Sequence, residues 1–554
     1  IEAAFATFLQ LSLHKQELVR AYVQYRWLAR QKQRLLAGTG TQLNKNGAAL
    51  RQRLFVKGKR ALKLRQMIAT GLGVEGGDPL YDLCPVWMAS PATVAQVFPR
   101  DPSFEVIIFD EASQCRLEEA LPVLLRGQRV VVAGDPKQLP PTRFFESGVS
   151  DSAQTDPETG EELFAIQQSE TEDLLSAALN LDVREAFLDV HYRSRNEALI
   201  GFSNETFYQD RLQPIPGHPK NRALRAPIHL HRVDGLYADR TNRAEAERAA
   251  EIVAELLAEK EPPSIGIACF NLTQRDMLVE VLDERAEKDS EFARRLAEAK
   301  QRRGKDSFEG LFVKNLENVQ GDERDVMIIC TTFGPDEQGK FRRNFGALSQ
   351  QNGGRRLNVL VTRARSAIHV ITSIPRTEYI SPQPIEEGRQ PTGRHHLYSY
   401  LRYAERLHAV FEKHADELEK MTRDHVPELT IQNTPTPSPV AGALGRTLHQ
   451  RHAIGSTVHW GNEGFCVDVA LTHPEMPVDV TVGLLTDFTR FRKTPDPIEW
   501  DLFRTYVLRS QGWKLQRIWS PALFRNPQQL VSRIVEEHRK VASNEPGETI
   551  STTL

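Results

Sequence analysis

Short β-branched runs that end in polar residues constrain the fold of this chain more than any other feature. From about residue 84 onward, runs such as "VIIFDE", "RVVVAGDP", "SIGIACF" and "DVMIICTTF" alternate with segments of helical periodicity. Brief apolar runs that are bounded by turn residues and separated by helices are typical of buried parallel strands. The pattern therefore predicts an α/β fold with a parallel sheet.

Length and composition describe a multidomain protein without a membrane span. The 554 residues are too many for one core, and 40% hydrophobic with 26% charged residues is typical of globular proteins. The five cysteines form no C-x-x-C pair, so neither a zinc site nor a disulfide framework is indicated. A reducing, cytoplasmic location is predicted, because no signal peptide and no apolar run of about 18 residues is present.

The first 70 residues are predicted to be helical and are strongly basic. Leu18, Tyr22, Tyr25 and Leu28 recur at helical spacing among many lysines and arginines with few acids. One interpretation is an arm that follows a phosphate backbone. The other is a solvated helical face, or a surface docked on an acidic part of the same chain, and the sequence leaves both open.

Two adjacent acids, Asp110 and Glu111, follow the run "VIIF". The carboxyl end of a parallel strand is where open α/β sheets bind ligands. Asp110 would suit a magnesium ligand acting through water, and Glu111 would orient or deprotonate a water that attacks a phosphate. Paired acids at strand ends are also common without such a role.

A second apolar run, about twenty residues later, leads into "GDPKQLPPT". Gly134 would allow a tight turn, and the prolines at 140 and 141 would stiffen the segment after it. Gln138 would then be held at the strand end, where it could sense a γ-phosphate. An ordinary Gly-Pro turn between a strand and a helix is the alternative.

Together these strings resemble a known family. "DEASQ" followed by "GDPKQLPPT" resembles motifs II and III of superfamily 1 helicases, in the branch of the nonsense-mediated-decay helicase. "LDVHYRSRNEALIGFSNETFY", "VKNLENVQGDERDVMIIC" and "GGRRLNVLVTRARSAIHVI" resemble motifs IV, V and VI, in the same order. The resemblance covers roughly residues 80–380. It implies two RecA-like lobes, the first incomplete, and hydrolysis of ATP with Mg2+.

The resemblance also implies roles for residues of the second lobe. Arg193 and Arg363 would reach the γ-phosphate, since guanidinium groups suit phosphate oxygens. Glu323 matches the position that binds the ribose, and Gln320 with Gly321 precedes it where backbone must approach the ligand. No catalytic role is assigned to three further arginines, which fit surface ion pairs or solvated positions: Arg195, Arg324 and Arg365.

Small polar residues in both lobes are candidates for contacts to a nucleic-acid strand. Such side chains suit hydrogen bonds to phosphate and sugar, which position a strand without reading its sequence. The candidates are Ser90, Pro91 and Thr142 in the first lobe, and Asn204, Asn271 and Gln274 in the second. Each could instead cap a helix. DNA is favoured over RNA only by the resemblance.

The last 110 residues resemble a nuclease-like domain of the very-short-patch-repair endonuclease type, within the PD-(D/E)xK group. Asp468 in "GFCVDVAL" matches the first metal-binding acid. The second strand carries Asp487, but Leu485 stands where the family has a Glu. Since a hard divalent ion prefers several oxygen ligands, a degenerate site without efficient cleavage is expected. The alternative is that both acids merely end strands.

A phosphate-binding loop of the G-x-x-x-x-G-K-[ST] type is not found. The nearest string is "LLAGTGTQLNKNG", in which Thr41 stands in the place of the lysine. A basic helix precedes it instead of a buried strand, so it is predicted to be a turn around Gly38 and Gly40. The chain also begins at Ile1, without an initiator methionine. The expectation is that the loop lies upstream, on a longer protein, and that this chain alone does not hydrolyse ATP.

The resemblance implies an ATP-dependent helicase or translocase on single-stranded DNA with 5′–3′ polarity, with an expected role in bacterial genome maintenance or antiphage defence. Protein partners would then belong to a defence or repair complex, and no membrane is involved. An RNA- or ribonucleoprotein-remodelling helicase and a non-catalytic nucleic-acid-binding scaffold are the alternatives. The predicted domains are a basic helical insertion (1–78), the end of the first lobe (79–178), the second lobe (179–405), a helix and linker (406–445) and the nuclease-like domain (446–545).

Overall fold

The computed structural model falls into two compact units, which are described separately. Unit 1 comprises residues 1–136, 140–148 and 167–184, and unit 2 comprises residues 137–139, 149–166 and 185–554. The structure describes residues 2–36, 58, 61–69, 78–139, 153–155, 162–164, 173–181, 183–218, 227–304, 308–349, 353–381, 390–420, 438–461, 465–475, 480–487 and 502–543.

In its described residues, unit 1 is mostly helical around one pair of strands. Its helices are α1 (Glu2–Leu36), α2 (Leu64–Ala69), α3 (Pro79–Leu83), α4 (Pro91–Val97), α5 (Leu117–Leu124) and α6 (Leu174–Leu179). Strand β1 (Phe104–Phe109) pairs in parallel with β2 (Gly127–Val132). The helical prediction for the N-terminal arm is confirmed over α1 and α2, and the predicted turn at Gly38 and Gly40 lies outside the described residues.

The core of unit 1 joins β1 to the helices that flank it. Ile107 and Phe109 of β1 are buried with Ala120, Val123 and Leu174. Beside this cluster the buried guanidinium of Arg126 donates through Nε and Nη2 to the carbonyl of Phe98, which ends α4. The charge is therefore buried with its hydrogen bonds satisfied, as a buried ion requires.

Unit 2 contains a five-stranded sheet in which every strand pair is parallel. Its strands are β7 (Ile228–Arg232), β8 (Ile265–Cys269), β9 (Phe312–Asn315), β10 (Arg324–Cys330) and β11 (Ala364–Thr372). Their order is β7-β11-β10-β8-β9. Central strands that are apolar on both faces are buried on both sides, which is typical of parallel sheets covered by helices. The predicted α/β fold with a parallel sheet is confirmed.

Helices cover both faces of this sheet. One face is packed by α8 (Arg243–Leu257), α9 (Leu272–Lys288) and α10 (Ser290–Lys300). The other face is packed by α7 (Ala198–Phe207), α11 (Gly353–Val361) and α13 (Gly393–Lys420). The remaining elements before the C-terminal part are β3 (Ala153–Thr155), β4 (Glu162–Phe164), β5 (Val190–His191), β6 (Gln213–Pro214) and α12 (Arg376–Ile380).

The C-terminal part of unit 2 is a second, smaller α/β structure. Its sheet has the order β12 (Ser456–Trp460), β13 (Val467–Thr472), β14 (Val480–Thr486) and β15 (Leu515–Ile518). Only the last pair is parallel. The helices are α14 (Pro439–His452), α15 (Arg504–Ser510), α16 (Ser520–Arg525) and α17 (Pro527–Ser543), and residues 438–543 are called the nuclease-like domain below. No described helix is both long and apolar enough to cross a membrane.

Candidate active site

The two predicted acids lie where β1 ends. Both Asp110 and Glu111 are exposed, and Asp110 Oδ1 accepts a hydrogen bond of 3.0 Å from the backbone N–H of Glu111. Glu111 has a left-handed backbone, with φ 52° and ψ 41°, which is uncommon for a residue other than glycine. Gln114 donates to Glu111 Oε2 at 3.3 Å. The left-handed backbone of Glu111 is strained, and strain of this kind occurs most often at functional sites.

Gly134 fixes the second predicted motif against the first. The backbone of Ala112 donates to Ala133 O at 2.9 Å, which brings the two segments side by side. A Cβ atom on Gly134 would lie 3.1 Å from the backbone nitrogens of both Ala112 and Ser113. Gly134 does not have a positive φ. The glycine therefore favours the close approach of two backbones, whereas the sequence predicted a tight turn.

The continuation of this segment belongs to unit 2. The carbonyl of Lys137 accepts a hydrogen bond of 2.9 Å from Asn358 Nδ2, which also donates to the Tyr208 hydroxyl at 3.0 Å. Gln138 is half-buried. The prolines at 140 and 141 and the nucleic-acid candidate Thr142 lie outside the described residues.

The structure brings together two predicted site residues that are 130 positions apart. Arg193 Nε donates to Glu323 Oε2 at 2.6 Å, and Arg365 donates to Glu323 Oε1 at 2.8 Å. Burial alone would raise the pKa of Glu323, but the hydrogen bonds from Arg365 and Arg193 outweigh it and lower the pKa. Among the described residues, Arg193 uses only Nε in a hydrogen bond, so both Nη groups remain as donors.

The other arginines of this region differ in burial. Arg365 lies in an ion-pair network, as predicted, and contacts Glu309 Oε1 at 2.8 Å as well as Glu323. Arg195 is exposed and lies 3.8 Å from Asp325. Arg324 is only 5% exposed, and its guanidinium donates to the carbonyl of Gly310. A solvated position, one of the alternatives left open for Arg324, therefore does not apply to it.

Arg363 is buried at 4% exposure, unlike Arg193. Its Nε donates to the carbonyl of Val359 at 2.7 Å, and Nη2 lies 3.4 Å from Thr362 Oγ1. Its contact with a γ-phosphate stays a prediction. Gly321 has φ +83°, and a Cβ there would meet no atom within 4 Å, so the backbone conformation requires this glycine. Gln320 precedes it and is half-buried.

Gln274 does not have the environment predicted for a nucleic-acid contact. It is fully buried, accepts a hydrogen bond of 2.6 Å from Asn242 N and donates to Asn242 O at 2.9 Å. This corrects the prediction for Gln274, because its amide joins the starts of α8 and α9 inside the unit.

The other polar candidates make local hydrogen bonds. Ser90 caps α4, accepting from Thr93 N at 3.3 Å, and Pro91 is the first residue of that helix. Asn271 caps α9, and Asn204 bonds both backbone groups of Leu212. These bonds fit the capping alternative, and their contacts to nucleic acid stay predictions.

Sequence reasoning missed a buried carboxyl group on α8. Glu245 is fully buried and accepts hydrogen bonds from Thr332 N at 2.7 Å, Ser373 N at 2.8 Å and the Thr331 hydroxyl at 3.1 Å. It thereby links the ends of β10 and β11. The signal that could have revealed it is the spacing Asn242-x-x-Glu245, the start of a capped helix.

The two predicted acids of the nuclease-like domain form hydrogen bonds and an ion pair within the protein. Asp468 is buried, accepts from Thr486 N at 2.7 Å and lies 3.5 Å from Nη2 of the buried Arg504. Asp487 accepts from both Ser520 N and Ser520 Oγ, at 2.9 and 2.5 Å. No group of three or more His, Cys, Asp or Glu suited to a metal occurs in the described part of the chain. These residues do not fit a metal, because an arginine already neutralises Asp468.

Three family models match parts of the chain. An AAA domain model matches residues 90–146, and a second AAA domain model matches residues 166–374. The model REase_MTES_1575 matches residues 445–537. The two AAA matches contain the Asp110 and Arg193 segments, and the third match coincides with the nuclease-like domain.

Curated relatives are similar to the chain at low identity. The ATP-dependent helicase MG140 of Mycoplasma genitalium is 28% identical over 82% of this chain and 38% of that protein. Helicase SEN1 of Saccharomyces cerevisiae is 25% identical over 48% of this chain and 11% of its own length. The DNA replication ATP-dependent helicase/nuclease DNA2 of the same yeast is 26% identical over 49% of this chain and 17% of its own length. The chain thus spans well under half of each of these relatives.

Proposed function

We propose that this chain is the motor part of an ATP-dependent translocase on single-stranded DNA, because it matches two AAA domain models, its motifs resemble those of superfamily 1 helicases, and a nuclease-like domain follows them. The observation that carries this proposal is the contact between Arg193 and Glu323. The family resemblance assigns both residues to the same bound nucleotide, although they lie in separate motifs. An arginine that keeps both Nη groups as donors is suited to phosphate oxygens.

The proposed roles follow the chemistry of phosphoryl transfer, which depends on positioning and charge. Asp110 would hold Mg2+ through water, and the ion would neutralise charge on the phosphates when bound. Glu111 would orient the attacking water, and Gln138 would sense the γ-phosphate. Arg193 and Arg363 would stabilise charge in the transition state, while Gln320, Gly321 and Glu323 would contact the nucleotide.

The nucleic-acid partner is proposed from charge and from the relatives. Lys15, Arg20, Arg26 and Arg30 are exposed on α1, which supports contact with a phosphate backbone. The name of the DNA2 relative refers to DNA replication, which favours DNA over RNA. A 5′–3′ polarity, a cytoplasmic location and a role in genome maintenance or antiphage defence with protein partners are part of the same proposal.

The test uses the full-length protein, since the chain spans 38% of its Mycoplasma genitalium relative. ATP hydrolysis is measured alone, with single-stranded DNA and with single-stranded RNA of the same sequence. Stimulation by DNA well above that by RNA is expected. Stronger stimulation by RNA would favour an RNA-remodelling helicase, and binding of either strand without hydrolysis would leave a non-catalytic scaffold.

A further inference from the structure

The nuclease-like domain shares a hydrophobic cluster with the segment that carries Arg193. Ile215, which follows β6, is 1% exposed and clusters with Phe465, Val467 and Trp513 of the domain. Val190 of β5 packs against the same cluster. Since the cluster contains side chains from both parts, the domain and this segment cannot separate without exposing apolar surface.

Trp513 makes both a polar and an aromatic contact with residues 216–218. It is 2% exposed, and its indole N–H donates to the carbonyl of Pro216 at 2.9 Å. Its ring lies 5.1 Å from the ring of His218 in an edge-to-face arrangement. Gly461 lies against Pro216, because a Cβ on that glycine would be 2.6 Å from Pro216 Cγ. Contacts with the nuclease-like domain thus hold residues 215–218 in place.

The same four residues lie directly against the strand that leads to Arg193. A Cβ on Gly217 would be 2.1 Å from the carbonyl oxygen of Arg195, so the two backbones touch. Strand β5 pairs in parallel with β6, and Ile215 N donates to His191 O at 3.2 Å. A displacement of residues 215–218 would therefore remove the support behind residues 190–195.

We propose that the nuclease-like domain positions Arg193, with Trp513 holding residues 215–218 against the backbone of residues 190–195. Trp513 is then a positioning residue and does not touch the nucleotide. This role rests on the proposed function of Arg193 as a phosphate contact. It also gives the nuclease-like domain a use that needs no metal, in keeping with the Arg504–Asp468 contact.

Two variants and one control test the proposal. Trp513→Phe keeps an aromatic ring but removes the indole N–H, and Gly217→Ala places a methyl group on the Arg195 carbonyl. The control is Gly442→Ala in α14, where a Cβ would meet only Arg446 Nη1, at 3.4 Å. The first measurement is amide hydrogen exchange of residues 190–195 and 213–218 in the 554-residue chain. The second is ATP hydrolysis by the full-length protein with single-stranded DNA.

Exchange should accelerate roughly 2- to 10-fold in Trp513→Phe, the size expected for one lost hydrogen bond. It should accelerate at least about fivefold in Gly217→Ala, because the added methyl group has no room. The control should exchange like the parent. In the ATPase assay Gly217→Ala should lower kcat by about tenfold, less than the 10³–10⁵ of a lost arginine finger, with KM for ATP within about twofold.

The exchange result decides the proposal even if the parent protein hydrolyses no ATP, which would overturn the proposed function instead. Unchanged exchange at residues 190–195 in both variants would overturn the positioning role. Equal acceleration in the control would also overturn it, since the effect would then be a general loosening of the domain. In a parent that hydrolyses ATP, faster exchange with unchanged kcat in Gly217→Ala would also overturn the proposal, because hydrolysis would then not depend on this contact.

Discussion

At the scale of single residues, Gln274 joins two helices through one side chain. Its amide both accepts from and donates to the backbone of Asn242, and Asn242 itself caps α8 and donates to Ser373 Oγ at 2.8 Å. All of these groups are buried. Loss of the amide would leave the buried N–H of Asn242 without its partner, which is the costly case for a hydrogen bond, whereas the carbonyl of Asn242 keeps its bond from Ala246 N.

We therefore predict that Gln274→Ala destabilises unit 2 without a selective effect on nucleic-acid binding. The free energy of unfolding should fall by about 1–3 kcal/mol, as expected for unsatisfied buried groups. Chemical denaturation measures it, with Gln338→Ala as the control, because Gln338 is exposed. The contrary result is an unchanged denaturation midpoint together with weaker DNA binding by the folded variant. That result would support a direct contact between Gln274 and nucleic acid.

Glu245 predicts a dependence of stability on pH. Burial raises its pKa, hydrogen bonds from Thr331, Thr332 and Ser373 lower it in part, and the result is a pKa of about 7 against an ordinary value of 4.5. The folded state therefore binds the proton more tightly than the unfolded state. The stability from this group is complete below about pH 4.5 and is lost as the pH rises through 7.

The measurement compares the parent with Glu245→Gln by chemical denaturation between pH 5 and pH 8. The difference in free energy of unfolding should shift in favour of the variant as the pH rises, by on the order of 3 kcal/mol in total. The physical reason is that the glutamine side chain stays neutral. A difference that is constant over this range would contradict the raised pKa.

At the scale of elements, glycines at close backbone contacts set how the motifs meet. Gly134→Ala would press a methyl group onto the backbone of Ala112 and Ser113, and a cost of about 1–3 kcal/mol is expected. Gly442→Ala in α14 has room and should stabilise by roughly 0.5–1 kcal/mol. Thermal unfolding of both variants checks the contrast. Equal effects of the two changes would contradict the close approach at Gly134.

The strands could be predicted from sequence, but their order could not. "VIIFDE", "RVVVAGDP", "SIGIACF" and "DVMIICTTF" correspond to β1, β2, β8 and β10, because β-branched residues favour strands. The predicted burial holds for β8 and β10 but not for β1 and β2, whose side chains are largely exposed. The order β7-β11-β10-β8-β9 depends on how the crossover helices pack, and no local pattern reports that.

The candidate site was only partly predictable for a similar reason. The contact between Arg193 and Glu323 joins residues 130 apart, and the motifs identified both of them without their pairing. Gln274 and Asn271 are both polar residues at the start of α9, yet only Gln274 is fully buried. Burial depends on the neighbouring helix α8, which sequence spacing does not place.

At the scale of the whole molecule, two segments that match AAA domain models precede a nuclease-like domain whose acids contact protein groups. A metal-dependent nuclease assay on the full-length protein should show no cleavage that depends on Asp468, because Arg504 neutralises this carboxylate. The comparison is between the parent, Asp468→Ala and the milder Asp468→Asn. Cleavage with Mg2+ or Mn2+ that disappears in both variants would show an active nuclease site.

The central claim is that the acids after β1 belong to an ATP-hydrolysing motor. The most direct test is the steady-state rate of ATP hydrolysis by the full-length protein with single-stranded DNA, for the parent, Glu111→Gln and the control Glu118→Gln, an exposed residue of α5. We predict that Glu111→Gln binds ATP but lowers kcat roughly 10²- to 10⁴-fold, as loss of a group that activates water does, while the control keeps the parental rate. Parental turnover in Glu111→Gln would contradict the claim.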